Sequence, residues 1–541
     1  MALVRTQRLA LAGVFSALAV LFLPASLPAQ SVEAILARAE AHEKAGRWLE
    51  AAEDYGELAR RQPMVPAWER RGRQCRTQEQ IARQYQNPAF QNGLLQLPLE
   101  QALHLYGEVL SKIQAHYVEE VELDRLLVRG LERIDLALQN PDFLRAVFAV
   151  APAEENLRRH RAALAQRWRE LGVATRRDAQ LKVQAIAISL QQELGASPTA
   201  VVIEFVNAAG EALDNYSAFL GPERFALEKS LASPNVAGIG LELQYGGGFL
   251  YVASLANTGP AARAGIQLHD RILRIDDVDV RRLGVEEASL RLLGRENTTV
   301  TLDVQGVLDL GPRVVEIPRE RLSQPSLGTV RLVDPELGIG YVHLGLFQQT
   351  TLFELDNALD RLMMEGLRGL ILDLRGNPGG SFESALQVAD RFLLAGVITS
   401  TRGRGPGTTA IHRVQDDRAL LIPLVLLIDG ETASAAEILA SALRDHRRAR
   451  LVGQPTAGKG SIQMVFPLKT VPSGLRLTAA RYWSPLEMAI NDNPVQPDVL
   501  VDGSDALDGM EGMMSAMQLQ QRQFEAALVE IRDLLLKAGM P

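Results

Sequence analysis

The chain has 541 residues, 47% hydrophobic and 23% charged, with 44 glycines and 26 prolines. This excludes collagen-like, disordered and coiled-coil classes for most of the chain, and the length suffices for about three or four domains, each with its own core. The single cysteine, Cys75, excludes an intramolecular disulfide and a cysteine-rich metal site, and a formal net charge of −8 argues against nucleic-acid binding through a broad basic face.

Arg5 and Arg8 precede an apolar run, Leu9 to Leu23, and then Pro24-Ala25-Ser26-Leu27-Pro28-Ala29. A basic region, a short apolar region and a small residue at the cut predict a signal peptide over 1–29, cleaved after Ala29. Left uncleaved, the same segment would be an N-terminal anchor. The run is short of the ~20 apolar residues of a membrane span, and no second stretch of that length follows, so no span is expected after the leader is removed. No cysteine follows the apolar run, so a bacterial lipid anchor is not suggested. Export without disulfides suits a Gram-negative periplasm or cell envelope.

Residues 30–95 read as helical. Ala37, Ala41, Ala45-Gly46-Arg47-Trp48, Ala51-Ala52, Tyr55 and Pro63 resemble one tetratricopeptide-type (TPR-like) hairpin, whose small residues let two helices approach. A plain helical hairpin fits equally. One repeat cannot bury its own faces, which makes an adaptor protein a candidate partner. Residues 96–225 carry Leu, Ala, Arg and Glu at three- and four-residue spacings and form a helical region with an insertion near 140–210. From 226 to 310 the texture becomes short Val/Ile/Leu strands between Gly and Asp turns. From 311 to 505 strands alternate with helices: Ile339–Leu344, Leu370–Leu374, helix Ser381–Leu394, Leu424–Ile428, helix Ser434–Arg444. That alternation predicts a parallel sheet covered by helices. Residues 506–541 end in an amphipathic helix, Ala516–Lys537.

Within 226–310, Gly238-Ile239-Gly240-Leu241 opens a strand, Gly259 to Gly265 makes a short helical turn, Asp270–Ile275 is a strand and Val285–Leu293 a helix. This looks like a PDZ domain. Such a Gly-rich turn presents backbone N–H groups to a terminal carboxylate, and the strand after it offers an edge to a peptide. Peptide contact is therefore assigned to Ile239, Gly240 and Leu241. The helix end, Leu292-Leu293-Gly294-Arg295-Glu296-Asn297, departs from the Gly-Pro-Lys-Gly-type turn that this resemblance leads one to expect.

The chemistry concentrates at Asp429-Gly430-Glu431-Thr432-Ala433-Ser434-Ala435-Ala436-Glu437. A serine opening a helix after a strand lies at the sheet's carboxyl edge. The Ala435 N–H there points out of the helix start, where negative charge is favoured. The pattern suits a nucleophile whose attack creates an oxyanion; serine is also a common helix cap. His446 lies about 18 Å along the same helix at 1.5 Å per residue, too far to be a local base. Lys459, after the strand Arg450–Val452, is the better candidate. Its segment Gly453–Lys459 is one residue from a phosphate-binding loop, but Gly460 replaces the Mg²⁺-binding hydroxyl and Ser461–Leu468 alternates like a strand.

Thr432-Ala433-Ser434-Ala435-Ala436-Glu437-Ile438, then Gly458-Lys459-Gly460 with Gln463, resembles the carboxyl-terminal processing (tail-specific) serine peptidases. The separations, 25 residues from Ser434 to Lys459 and 4 from Lys459 to Gln463, match that family's Ser/Lys dyad and assisting Gln. Leu372-Asp373-Leu374-Arg375-Gly376-Asn377-Pro378-Gly379-Gly380 matches the turn that supplies a second oxyanion donor, carried to the Gly379 N–H beside that of Ala435. Weaker matches are Asp214-Asn215-Tyr216-Ser217, Gly340-Tyr341-Val342 and Pro497-Asp498. Ala457 and Asn491–Gln496 depart from the pattern without touching the dyad.

The resemblance implies an α+β multidomain fold: a helical N-terminal region, a PDZ-like domain and an α/β serine peptidase core of Clp/crotonase-like type. It implies an endopeptidase acting on proteins with apolar C-terminal tails, Ser434 attacking, Lys459 taking its proton and Gln463 orienting the amine. No cofactor or metal is required. An exposed lysine, with a pKa of ~10.4, is a poor base at neutral pH, and burial in an apolar pocket would lower that value. Glu437 and Asp373 read as structural. Other readings are a non-catalytic tail-binding adaptor and a helical-repeat scaffold.

Overall fold

The computed structural model describes residues 31–539 apart from 170–171, 232–235, 247–248, 257, 284, 307–308, 310, 322–324, 416–417 and 503–511. The expected leader lies outside the described residues. Among the described residues no helix is long and apolar enough to cross a membrane.

These residues divide into two compact units, one ending at Cys75 and the other starting at Arg76. In the first, helices Val32–Lys44 and Trp48–Arg61 pack antiparallel across Ala45-Gly46-Arg47, where Gly46 takes φ 69° to reverse the chain. Ile35 and Ala39 meet Ala51, Ala52, Tyr55 and Leu58; the alanines permit the close approach. The start of a third helix, Pro66–Gln86, brings Trp68 to stack on Tyr55 at 6.3 Å between ring centroids.

The helical part of the second unit is organised around Pro198–Glu211, buried along nearly its whole length. Helices Leu99–His116, Leu123–Ala137 and Arg176–Leu194 surround it, which is why its sequence is apolar on all faces. Its one buried charge, Glu204, is matched by Arg133 Nε at 2.7 Å and the Tyr85 hydroxyl at 2.8 Å. Buried carboxylates persist only when so paired.

Next come antiparallel strands Leu241–Gly246, Phe249–Leu255, Arg271–Ile275, Thr299–Gln305 and Arg313–Pro318, hydrogen-bonded in that order, with Val278–Asp279 beside Arg271–Ile275. Leu241–Gly246 is an edge strand, and helix Val285–Leu292 packs near it. Arg319 holds the end of that helix, its guanidinium donating to the carbonyls of Arg291 and Leu292.

The core sheet orders its strands Leu327–Asp334, Ile339–Leu344, Gly369–Asp373, Leu424–Ile428, Arg450–Gly453 and Val499–Leu500, the first pair antiparallel and the rest parallel. Gly369–Asp373 and Leu424–Ile428 are buried at every position because both faces are covered. Leu370, Leu372, Leu424 and Leu426 face helices Thr351–Met364, Phe382–Asp390 and Ala435–Asp445. Ile371, Val425, Leu427 and Val452 face Ala527, Ile531 and Leu535 of the C-terminal helix Gly512–Lys537. A second, antiparallel sheet joins Ala218–Leu220, Gly474–Trp483, Val397–Gly403 and Ala410–Arg413, and Ser461–Pro467 pairs with Gly474–Trp483.

Candidate active site

Three turns converge at the carboxyl edge of the core sheet. The first, 429–434, follows Leu424–Ile428. The Asp429 carboxylate accepts the N–H groups of Glu431 and Thr432, each at 3.0 Å, and reaches the Gly376 N–H of the second turn at 3.1 Å. Thr432 Oγ1 donates to Leu374 O at 2.9 Å, and the Ala433 N–H to Asn377 O at 2.9 Å. So braced, the chain enters the helix with Ser434 at φ 56°, ψ −115°, a conformation costly for a residue with a Cβ. Ser434 is partly exposed and Ala435, the first helical residue, is buried.

The second turn lies against the serine. A Cβ on Gly379 would fall 2.8 Å from Ser434 Cβ and 2.9 Å from Ala435 N, and Gly379 itself takes φ 106°. Only glycine lets the two turns come this close. The Gly379 N–H donates to Asn377 Oδ1 at 2.9 Å, and Asn377 is held by donating to Leu344 O at 2.8 Å. One expected oxyanion donor is thus engaged by a side chain, while Ala435 occupies the helix start, where amides lack intrahelical acceptors.

The third turn carries Lys459. Gly458, at φ 74°, packs on Pro494. The carboxylate of Glu437, fully buried, gathers this turn onto the first. Its Oε1 accepts from Thr456 Oγ1 at 2.5 Å and the Gly458 N–H at 2.7 Å; its Oε2 accepts the Lys459 and Ser434 N–H groups, both at 2.8 Å. The amide nitrogens of Ser434 and Lys459 are therefore no further apart than those two bonds laid end to end. The Lys459 side chain is half-buried, its Nζ 5.5 Å from the Tyr216 ring centroid: an aromatic face rather than an enclosed apolar pocket. Gln463, also half-buried, donates to Ser461 Oγ at 2.9 Å, next to a bulge between Ile462 and Gln463.

His446 lies at the far end of the helix, its Nε2 2.7 Å from Val397 O. Asp373 is taken up by Arg375, at 2.9 Å from Nε, and by the Tyr341 hydroxyl at 2.7 Å. Burial and that carboxylate push the Tyr341 phenol up. At the edge strand of the β-rich domain, Ile239 is buried, Gly240 takes φ 81°, and the carbonyls of Ile239 and Gly240 accept the Ala261 and Ala256 N–H groups at 2.8 Å, which fixes the turn ahead of Leu241.

Comparison with known proteins gives the family. The model of peptidase family S41 matches residues 338–501 and that of the PDZ domain residues 229–305. The carboxyl-terminal-processing protease of Picosynechococcus sp. is 34% identical over 325 residues, 59% of this chain and 78% of that protein. That of Synechocystis sp. is 34% identical over 291 residues, 53% of this chain and 67% of that protein. This chain belongs to the carboxyl-terminal-processing proteases of family S41. Like them it is a serine-type endopeptidase, here with a PDZ domain. Among solved structures, a photosystem II D1 C-terminal processing protease covers 74% of this S41 peptidase and 93% of its own chain, at 24% identity and a TM-score of 0.43.

The structure brings the serine, the lysine and the glycine turn singled out in the sequence to one sheet edge, through contacts that the sequence did not reveal. Glu437 is structural, as read from the sequence, but its partners were not foreseen, although Ser-x-x-Glu at a helix start is a capping-box signature. Asp429-x-x-Thr432 is likewise a turn motif. Nothing in the sequence marks Asn377 as the partner of Gly379.

Proposed function

We propose that this S41 peptidase is exported, captures apolar C-terminal tails on its PDZ edge strand, and cleaves them with a Ser434/Lys459 dyad. The observation that carries the reading is the shared carboxylate: Glu437 Oε2 takes both the Ser434 and the Lys459 amide. In the proposed reaction Ser434 Oγ bonds to the scissile carbonyl carbon while its proton passes to the lone pair of a neutral Lys459 Nζ. The oxyanion so formed accepts from the Ala435 N–H, and from the Gly379 N–H once Asn377 Oδ1 lets it go. The Lys459 ammonium then protonates the departing amine as the C–N bond breaks. Water, deprotonated by the same amine, hydrolyses the acyl-enzyme. Gln463, being uncharged, orients the amine without stabilising its charged form. Ile239, Gly240 and Leu241 receive the tail's carboxylate and first residues, and the N-terminal helical hairpin is the part assigned to an adaptor protein.

The test is incubation of wild type, Ser434→Ala and Lys459→Ala with a protein bearing an apolar C-terminus, followed by mass analysis and a binding assay. Cleavage by wild type alone, with binding kept in both variants, is the expected result. Cleavage by Ser434→Ala would remove the proposed nucleophile, and a wild type that binds without cleaving would favour an adaptor.

A further inference from the structure

Tyr216 lies outside the segments that carry the serine, the lysine and the glycine turn, yet its ring is the aromatic neighbour of the Lys459 amine. We propose that Tyr216 is a positioning residue for Lys459, and that its ring face stabilises the positive charge the amine acquires as Ser434 attacks. The inference rests on the reading of Lys459 as the general base.

The distance, 5.5 Å from Nζ to the ring centroid, falls within the ~6 Å over which an aromatic face attracts a cation. The backbone that carries the ring is also firmly held. The Tyr216 and Ser217 N–H groups donate to Asp214 Oδ1 at 2.8 and 2.7 Å. Arg476 Nε donates to Tyr216 O at 3.0 Å, and the Thr478 N–H to Ser217 Oγ at 3.2 Å. Strand Gly474–Trp483 carries both partners: Arg476 is paired with Ala218 on one edge and Val465 on the other. The segments bearing Tyr216 and Lys459 thus hang from opposite edges of one strand, which keeps ring and amine in register. Tyr216 is 38% exposed and so sits at the rim of the site.

Proton transfer explains what such a ring does. When the Oγ–H bond breaks and the N–H bond forms, a neutral amine becomes an ammonium. A ring face attracts the ammonium and is nearly indifferent to the amine, so it acts more strongly in the transition state than before it. The charged groups near the pair include Glu437, on the Lys459 amide; Asp214, on the Tyr216 amide; Asp492, whose N–H donates to Gly458 O; Arg476, on the Tyr216 carbonyl and paired with Glu228 at 3.1 Å; and Arg481, paired with Ser461 across the strands and with Glu119 at 2.5 Å. All are unchanged in the variants below, so a shift between profiles reports the ring.

The experiment is the pH profile of kcat and KM on a fluorogenic peptide with an apolar C-terminus, for wild type, Tyr216→Phe, Tyr216→Leu and Tyr216→pentafluorophenylalanine, with Lys459→Ala as control. The fluorinated ring keeps the shape of phenylalanine but no longer attracts cations, so it decides the matter even if the leucine variant fails to fold. Phenylalanine should keep kcat within about twofold and leave the acid limb in place. Leucine and the fluorinated ring should lower plateau kcat about threefold to thirtyfold with little change in KM, and move the acid limb down by about half to one pH unit. An inactive Lys459→Ala with acid limbs that stay put would overturn the role of Tyr216 and leave the base assignment standing. A fully active Lys459→Ala would overturn both.

Discussion

Ser434 and Lys459 hang from one oxygen atom, each donating its backbone N–H to Glu437 Oε2 at 2.8 Å. The backbones of the serine and the lysine are therefore placed by a third residue, Glu437. Glu437 is fully buried, and its charge is balanced by three amides and a hydroxyl.

That arrangement fixes the consequence of Glu437→Gln. A glutamine side chain accepts at one end only, so its NH₂ group would face two of the four donors. Buried hydrogen bonds to a charged group contribute about 1.5–3 kcal/mol each, and the variant should lose about 3–5 kcal/mol by urea denaturation. Its kcat should fall far more than KM rises, because the two turns lose their common anchor while the PDZ groove is untouched. An unchanged kcat would show that the turns hold their places without the carboxylate.

The backbone of Ser434 makes a second prediction. At φ 56°, ψ −115° the Cβ is strained, a cost of about 1–3 kcal/mol that glycine does not incur. Ser434→Gly and Ser434→Ala should both be inactive, but the glycine variant should be the more stable by about 1 kcal/mol, after allowance for glycine's larger unfolded-state entropy. Equal urea midpoints would mean the turn relaxes around Ser434 and stores no strain.

Gly379→Ala should abolish hydrolysis while sparing tail binding. The new methyl would lie 2.8 Å from both Ala433 O and Ser434 Cβ, and neither backbone turn has room to retreat. Peptide turnover and a tail-binding assay, run together, check this; retained turnover would place the oxyanion donors elsewhere.

The sequence exposed those parts of the fold whose cause is local. Continuous apolar runs such as Leu424–Ile428 announced buried parallel strands, and the Ser434 segment announced a strand-to-helix turn. What joins the site is non-local and mostly backbone. Glu437 binds amides 21 and 22 residues further on, and an N–H group leaves no trace in the identity of its residue. The antiparallel sheet escaped for the same reason: Ala218–Leu220 and Gly474–Trp483 pair although Ala218 and its partner Arg476 stand 258 residues apart. Tyr216 was visible only as a motif until that pairing set it against Lys459.

The same sheet is tied to the helical region by a carboxylate whose titration can be followed. Glu108, on helix Leu99–His116, accepts the Lys469 N–H at 2.7 Å, the Thr470 N–H at 3.0 Å and Thr470 Oγ1 at 2.9 Å. Burial pushes its carboxyl up, but these donors together outweigh burial and hold it below the ordinary value of 4.5. A carboxyl whose folded pKa is depressed contributes stability that is complete above its unfolded pKa and is lost as pH falls through the folded one. The clamp on the turn after Ser461–Pro467 should therefore be fully formed at neutral pH and fail only in acid, below about pH 4. Glu108→Gln should cost about 1 kcal/mol at pH 7 and flatten the acid limb of the stability profile, measured as urea midpoints from pH 3 to 7. A variant whose midpoints fall with acid as steeply as those of wild type would show that Glu108 is not a source of the acid sensitivity.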